Sequence, residues 1–322
     1  MIEIDGSSGG GQILRTALTL SVIKQEGFRI ENIRGKRSDP GLKRQHLEAV
    51  KAAERISNAE VKGDEINSET LEFRPEELSD QPFTSNIGTA GSITLLYDTV
   101  LPITSQFNDS FRMTAKGGTD VKWSPTLSYL TEVKLPLLEN FGVKAEVENS
   151  KTGYYPKGGG KAVLDTRNHS LEPINLRERG RLERFEVYSK ASRELKDQEV
   201  ADRQADEAER LLKNSHISKE IEKNVRYEKT ESPGSSILIK AVYENSIAGF
   251  DSLGEKGKRS EKVAKDAVQE FKSFHSTEAA VDKYMADQLI VFMAITGGEI
   301  TIPKVNNHIQ TNTAVLEKFG LK

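Results

Sequence analysis

The sequence predicts an α/β protein of the α+β type, in which three repeated sheet-and-two-helix units form the main domain and a smaller α/β domain is inserted into it. The first observation is internal similarity: Gly11-Gln12-Ile13-Leu14-Arg15 and the five residues after it resemble Gly91-Ser92-Ile93-Thr94-Leu95 and its continuation, both reading as apolar helices that open on glycine. The second is that Leu138-Glu139-Asn140-Phe141-Gly142-Val143-Lys144 reappears as Leu316-Glu317-Lys318-Phe319-Gly320-Leu321-Lys322, each closing a helical pattern on glycine. The third is that only one further helix start of this kind, Asp287-Gln288-Leu289-Ile290-Val291, lies between those two closings. A third unit split by an insertion of domain size satisfies all three.

Taken in order, each unit reads strand, helix, strand, helix, strand, with strands expected over 28–33 and 111–114 after the first helix of each unit. The main domain is expected over 1–180 and 277–322, and the inserted domain over 181–276. Within the insertion, strand-like runs at 185–189 and 237–243 alternate with charged helical patterns at 199–213 and 260–274. The sequence stops just after its third closing helix, so residues 2–5 are expected to supply a final strand by pairing across the ring of repeats.

At 322 residues the chain can bury one large core or two ordinary ones without covalent staples. Its lack of cysteine removes disulfides, thiolate metal sites and cysteine nucleophiles, and cytoplasm is the expected location. No basic-then-apolar leader pattern opens the sequence, and its apolar runs fall far short of the roughly 20 residues that span a bilayer, so no membrane partner is expected. A net charge of −3 means that a polyanion would have to be met by a local basic patch.

Such patches occur at glycine-rich boundaries. Gly9-Gly10-Gly11 precedes a helix with Arg15 one turn in, which suits either a phosphate site or a flexible turn. The segment 34–46 carries Arg34, Lys36, Arg37, Lys43 and Arg44 among glycine and proline turns, a pattern for phosphate or RNA backbone that a solvated loop also shows. His46 begins a helix there, in a structural role or in support of phosphate binding. Further glycine clusters at 87–92, 116–120 and 154–161 offer backbone amides and Lys116, Lys157 and Lys161 to a shared cleft. No Walker phosphate loop occurs; Gly257-Lys258-Arg259-Ser260 comes nearest and lacks the spacing. Of the five histidines, His169, His216 and His275 read as surface residues, and no zinc-binding spacing is present. His308, in Asn306-Asn307-His308-Ile309-Gln310-Thr311, stands just before the last helix, and its residue context leaves open both an ordinary polar histidine and a nucleophile toward phosphorus.

From end to end the chain resembles the RNA 3'-terminal phosphate cyclase family. The resemblance rests on 9–15, 34–46, 88–92, 117–120 with Trp123-Ser124-Pro125, 155–160, 252–257, Ala280 to Gln288, and His308. It implies the three-repeat fold with an inserted domain, and a reaction with ATP and an RNA bearing a 3'-phosphate, assisted by Mg2+ or Mn2+. By the same resemblance His308 attacks the α-phosphate of ATP and carries AMP, which passes to the RNA 3'-phosphate before the 2'-hydroxyl closes a cyclic phosphate. Arg15, Pro125, Tyr284, Asp287 and Gln288 are implied as ATP-binding, with Pro125 and Tyr284 sandwiching adenine; Gly11, Arg34, Arg37, Arg44 and His46 are implied as phosphate- or RNA-binding. The chain departs from the family in two places: Asp5-Gly6-Ser7-Ser8 lacks the glutamate expected to hold the metal, and Asp98 replaces a common glutamine, which makes it the candidate metal ligand. A non-catalytic cyclase-like protein of ribosome assembly, and an enolpyruvyl transferase of related fold, are the alternatives; His308 weighs against both. Monomer and dimer remain equally open.

Overall fold

Alternating Ile2 and Ile4 make Ile2–Asp5 (β1), and a parallel partner, Phe28–Glu31 (β2), is reached through the apolar helix Gly11–Lys24 (α1). This is the ordinary crossover between parallel strands. The computed structural model describes residues 1–215, 217 and 219–321. After β2 come helix Arg44–Ser57 (α2) and the antiparallel strands Glu60–Lys62 (β3) and Leu71–Arg74 (β4), giving a sheet of order β1-β2-β4-β3. The second sheet is built the same way. Phe83–Asn86 (β5), helix Ile93–Val100 (α3), Phe111–Gly117 (β6), a helical stretch of Leu127–Tyr129 (α4), a π turn at Leu130–Lys134 and Leu135–Glu139 (α5), then Ala145–Lys151 (β7) and Gly160–Thr166 (β8), give the order β5-β6-β8-β7.

Ile174–Leu176 (β9) begins a third, two-stranded sheet, completed far along the chain by Gly298–Ile300 (β14) in parallel register. Between them Leu182–Ser192 (β10), Val200–Lys213 (α6), Glu220–Glu228 (β11), Ser235–Tyr243 (β12), Ile247–Leu253 (β13) and Ser260–His275 (α7) form a four-stranded sheet with a hydrophobic core of its own. The chain then returns through Lys283–Gln288 (α8), Ile290–Thr296 (α9), β14 and Asn307–Lys318 (α10). The result is a mixed α/β architecture with four sheets among the described residues.

One face of the β10–β13 sheet is apolar and covered by α6 and α7, while the opposite face meets the larger core through buried charges. There Lys190 Nζ lies 3.0 Å from Asp120, Ser236 donates to Asp120 at 2.9 Å, and Lys240 pairs with Glu186 at 2.9 Å. Buried charges hold only when paired in this way.

Residues 2–5 correct an expectation. They do not complete the third sheet; Ile2 sits opposite Phe28 in the first, because the short α1 crossover returns the chain beside its own first strand. The C-terminal helix reaches the first sheet by packing: α10 rests against β1, and Phe319 meets Phe28 edge-on at 6.5 Å. Two of the histidines expected at the surface are half-buried: His169 is hydrogen-bonded to Thr104 and to the Lys144 amide, and His275 stacks on Phe271 and Tyr243. His216 lies outside the described residues.

The repeated Leu-Glu-x-Phe-Gly string has one cause. Gly142 donates to Glu139 O at 3.0 Å and Val143 to Leu138 O at 3.2 Å; Gly320 donates to Glu317 O at 3.1 Å and Leu321 to Leu316 O at 3.0 Å. These are two Schellman caps with left-handed glycines, φ 83° and 70°. A methyl group at residue 142 would also collide with the Ser170 carbonyl, whereas among the described residues nothing lies within 4 Å of one at residue 320.

The starts of α1 and α2 are joined by His46. Its Nδ1 accepts the Lys43 amide at 3.2 Å, which leaves the proton on Nε2, and that atom sits against Gly11 where a Cβ would be. Burial, then the positive charges of Arg15, Arg34 and Lys43, hold the imidazole down at about 3, so it is neutral in the folded protein.

Two outcomes follow for stability. In urea denaturation Gly320→Ala should cost roughly 1–2 kcal/mol, the left-handed penalty alone, and Gly142→Ala clearly more. Because the unfolded chain takes up a proton near pH 6.5 that folded His46 refuses, stability should fall as pH drops from 6.5 toward 3. His46→Gln should flatten that fall in pH-dependent melts without abolishing it, since burial and Lys144 hold His169 at about 4 and it adds to the same slope.

Candidate active site

Three helix starts converge. Helix α10 lies along α1, tied by Gln12 Nε2 donating to Thr311 Oγ1 at 3.3 Å and by Thr16 donating to Asn312 Oδ1 at 3.1 Å. Gln12 also turns back to accept the Gly10 amide at 3.0 Å, which fixes the glycine triplet at the mouth of α1. Asn306 caps α10 by accepting the Ile309 amide at 2.9 Å, so His308 falls in the first turn, beside that mouth.

His308 is half exposed, and its Nδ1 lies 3.0 Å from Asp287 Oδ2 on α8. Among the described residues nothing occupies its Nε2. Arg15, one turn into α1, feels both Asp98 and Asp287; burial draws its guanidinium down and these two carboxylates oppose that effect. A methyl group on Gly11 would approach Arg15 Nη1 to 3.2 Å, and one on Gly10 would approach Arg37 Nη2 to 3.2 Å. Gly11, Arg15, Arg37, His46, Asp287 and His308 are thus brought together: cations and an imidazole N–H on one side, a carboxylate-backed imidazole on the other.

The other residues singled out in the sequence take separate positions. Arg34 spends Nη1 on the carbonyls of Asp39 and Gly41, both at 2.9 Å, and shapes its own loop. Arg44 reaches Gly88, where a methyl group would lie 3.4 Å from its Nη1. Gln288 donates to Tyr284 O within α8. Tyr284 lines an open cleft of about 630 Å³ shared with Phe250, Asp251 and Ser252. Pro125 sits beside that cleft: its carbonyl accepts from Thr94, and the next amide, Thr126, donates to Asp251 at 2.8 Å. Burial pushes Asp251 up to about 6, against the pull of Thr126.

Asp98 is engaged by Lys134, whose Nζ is 2.6 Å away and whose side chain is only 2 % exposed. Among the described residues no three His, Asp or Glu side chains converge as metal ligands. An ion arriving with a nucleotide would therefore draw its ligands mainly from phosphate oxygens.

Sequence reasoning missed Gln12, Lys134 and Asp282. Asp282 is buried and caps α8, accepting the amides of Tyr284 (2.9 Å), Met285 (3.0 Å) and Gly249 (3.1 Å) and the Tyr129 hydroxyl (2.9 Å). An aspartate directly before a helical pattern was the signal available for it.

Among the described residues no helix is long and apolar enough to cross a membrane. A family profile described as RNA 3'-terminal phosphate cyclase matches residues 7–321. The RNA 3'-terminal phosphate cyclase of Saccharolobus solfataricus is 44% identical over 322 residues, 99% of this chain and 94% of the relative. That of Halobacterium salinarum is 39% identical over 330 residues, 99% of this chain and 95% of the relative. With a profile and full-length relatives in agreement over a site of this composition, the chain belongs to the RNA 3'-terminal phosphate cyclase family.

Proposed function

We propose that this chain converts an RNA 3'-phosphate to a 2',3'-cyclic phosphodiester at the expense of ATP, through AMP carried covalently on His308. The observation that carries this is the Asp287–His308 pair at the mouth of α1. Asp287 accepts the Nδ1 proton, so the Nε2 lone pair is free, and the carboxylate stabilises the positive charge that grows on the ring as its bond to phosphorus forms. Nε2 attacks the α-phosphorus and the bond to pyrophosphate breaks. Arg15, Arg37 and the His46 Nε2–H take the charge shifting onto the departing group.

The phosphoramidate then yields AMP to an oxygen of the RNA 3'-phosphate. The 2'-hydroxyl attacks that phosphorus, losing its proton as AMP departs and the ring closes. Tyr284 and Pro125, beside the open cleft, are suited to hold adenine between a ring face and an apolar edge. Mg2+ or Mn2+ arriving with the triphosphate would supply charge neutralisation. A non-catalytic RNA-binding role is favoured by the missing glutamate in Asp5-Gly6-Ser7-Ser8 and by the lack of converging metal ligands among the described residues.

We further propose that the three sheets are copies of one unit and that 181–276 is an insertion into the third. The shared order of the first two sheets and the separate core of residues 182–279 support this. A cysteine-free chain suits a cytoplasmic enzyme.

Incubated with α-labelled ATP and either metal, the protein should acquire acid-labile label that His308→Ala lacks; an unlabelled wild type, or a labelled variant, sinks the proposal. Asp287→Asn removes the carboxylate charge and lets an amide N–H face Nδ1, which favours the ring proton on Nε2. The rate of labelling, followed by quenched time points, should then fall about 100-fold or more.

A further inference from the structure

Two aromatic side chains outside this machinery stand in solvent. Trp123 is 95% exposed and Tyr155 is 75% exposed. Both project from loops that meet at a backbone bridge between Asp120 and Tyr154. Trp123 is three residues from that bridge and Tyr155 is one, so each lies within at most about 11 Å of it.

Neither loop is slack. Around Trp123, Ser124 donates to Val121 O at 3.0 Å, Lys122 pairs with Glu255 at 2.8 Å, and the Pro125 carbonyl accepts from Thr94 at 2.9 Å. The tryptophan has φ 63°, a left-handed conformation that a bulky aromatic adopts only where its surroundings impose it. The structure thus holds an indole away from protein, in strain, with no packing in return.

The adjoining sheet carries a second anomaly. Lys116 on β6 lies directly opposite Lys161 on β8, both exposed, and among the described residues neither has an acidic partner. Like charges directly across an antiparallel pair are unfavourable unless an anion relieves them. The next pair, Gly117 and Gly160, is the last before the loops that carry the two aromatics.

A continuous path of contacts connects this place to the candidate active site. His46 covers Gly11; Arg44, two residues earlier, approaches Gly88; and a methyl group on Gly158 would lie 2.8 Å from Thr89 O. Tyr155 is in that last loop. The path is glycine-lined and flanked by arginine and lysine.

We propose that Trp123 and Tyr155 are a stacking platform for bases of single-stranded RNA upstream of its 3' end, with Lys116 and Lys161 holding the intervening phosphates. Exposed aromatics interleaved with unpaired cations are how proteins hold single strands without reading sequence. This rests on the reading of the chain as an RNA-modifying enzyme. It adds the claim that the enzyme grips nucleotides beyond the reacting one and accepts any base there.

Trp123 is the one tryptophan in the sequence, so its fluorescence reports the contact directly. Titration with a 3'-phosphorylated oligoribonucleotide of about ten nucleotides should quench it saturably, and an abasic strand of equal length should quench it little. Trp123→Asn, whose side chain tolerates the left-handed backbone, should raise the KM for RNA roughly tenfold; labelling by ATP should be unchanged, and Trp123→Phe should restore most of the affinity. Lys116→Ala with Lys161→Ala should flatten the salt dependence of RNA binding by about 0.7 per lysine on a log–log plot. Unchanged fluorescence at RNA concentrations that saturate filter retention, or an unaltered KM for Trp123→Asn, overturns the proposal. If RNA quenches but ATP leaves no label, the platform stands and the assigned reaction falls; if no RNA is retained at all, both fall.

Discussion

The carboxylate of Asp282 is the point on which the candidate site is hung. It sits in the interior, where an anion is tolerated only if its oxygens are saturated, and burial pushes its pKa up even so. Its donors come from three parts of the chain: the first turn of α8, the amide of Gly249 on β13, and the hydroxyl of Tyr129 at the start of the helical stretch of the second sheet. One side chain therefore sets where α8 begins and ties it to both hydrophobic cores. Tyr284 and Asp287 are carried on that helix, so the geometry at His308 is inherited from a residue that touches no reacting atom.

Helix ends were the most legible part of the sequence. The Leu-Glu-x-Phe-Gly string reports a cap whose backbone demands a left-handed residue, and the physics is local enough to be read from five letters. The last helix of the first sheet uses the same left-handed exit at Asn58, and there no glycine advertises it. Strands were less legible. The edge strand β11 has no buried residue and reads as a charged loop, and β13 offers too little apolar alternation to stand out. The partner of residues 2–5 was not legible either, because the pairing is decided by the α1 crossover and not by the strand's own residues.

In the candidate site the sequence supplied the residues but not their assignments. Arg34, Arg37 and Arg44 look equivalent in a run of basic residues, yet one braces its own loop, one faces Gly10 and one reaches Gly88. Only folding separates these tasks, since each depends on which backbone oxygens or amides lie within reach. The Asp287–His308 contact was equally hidden, spanning 21 positions and two helices. Its two members were singled out from the sequence for different purposes.

The ion pair between Asp98 and Lys134 couples two positions on different helical segments of the second sheet. An ammonium with 2 % exposure depends on its counter-ion in the interior, and the same carboxylate also acts on Arg15. Neither position can drift alone. A change that removes one of these charges has to be matched at the other, so the two positions tolerate substitution only as a pair.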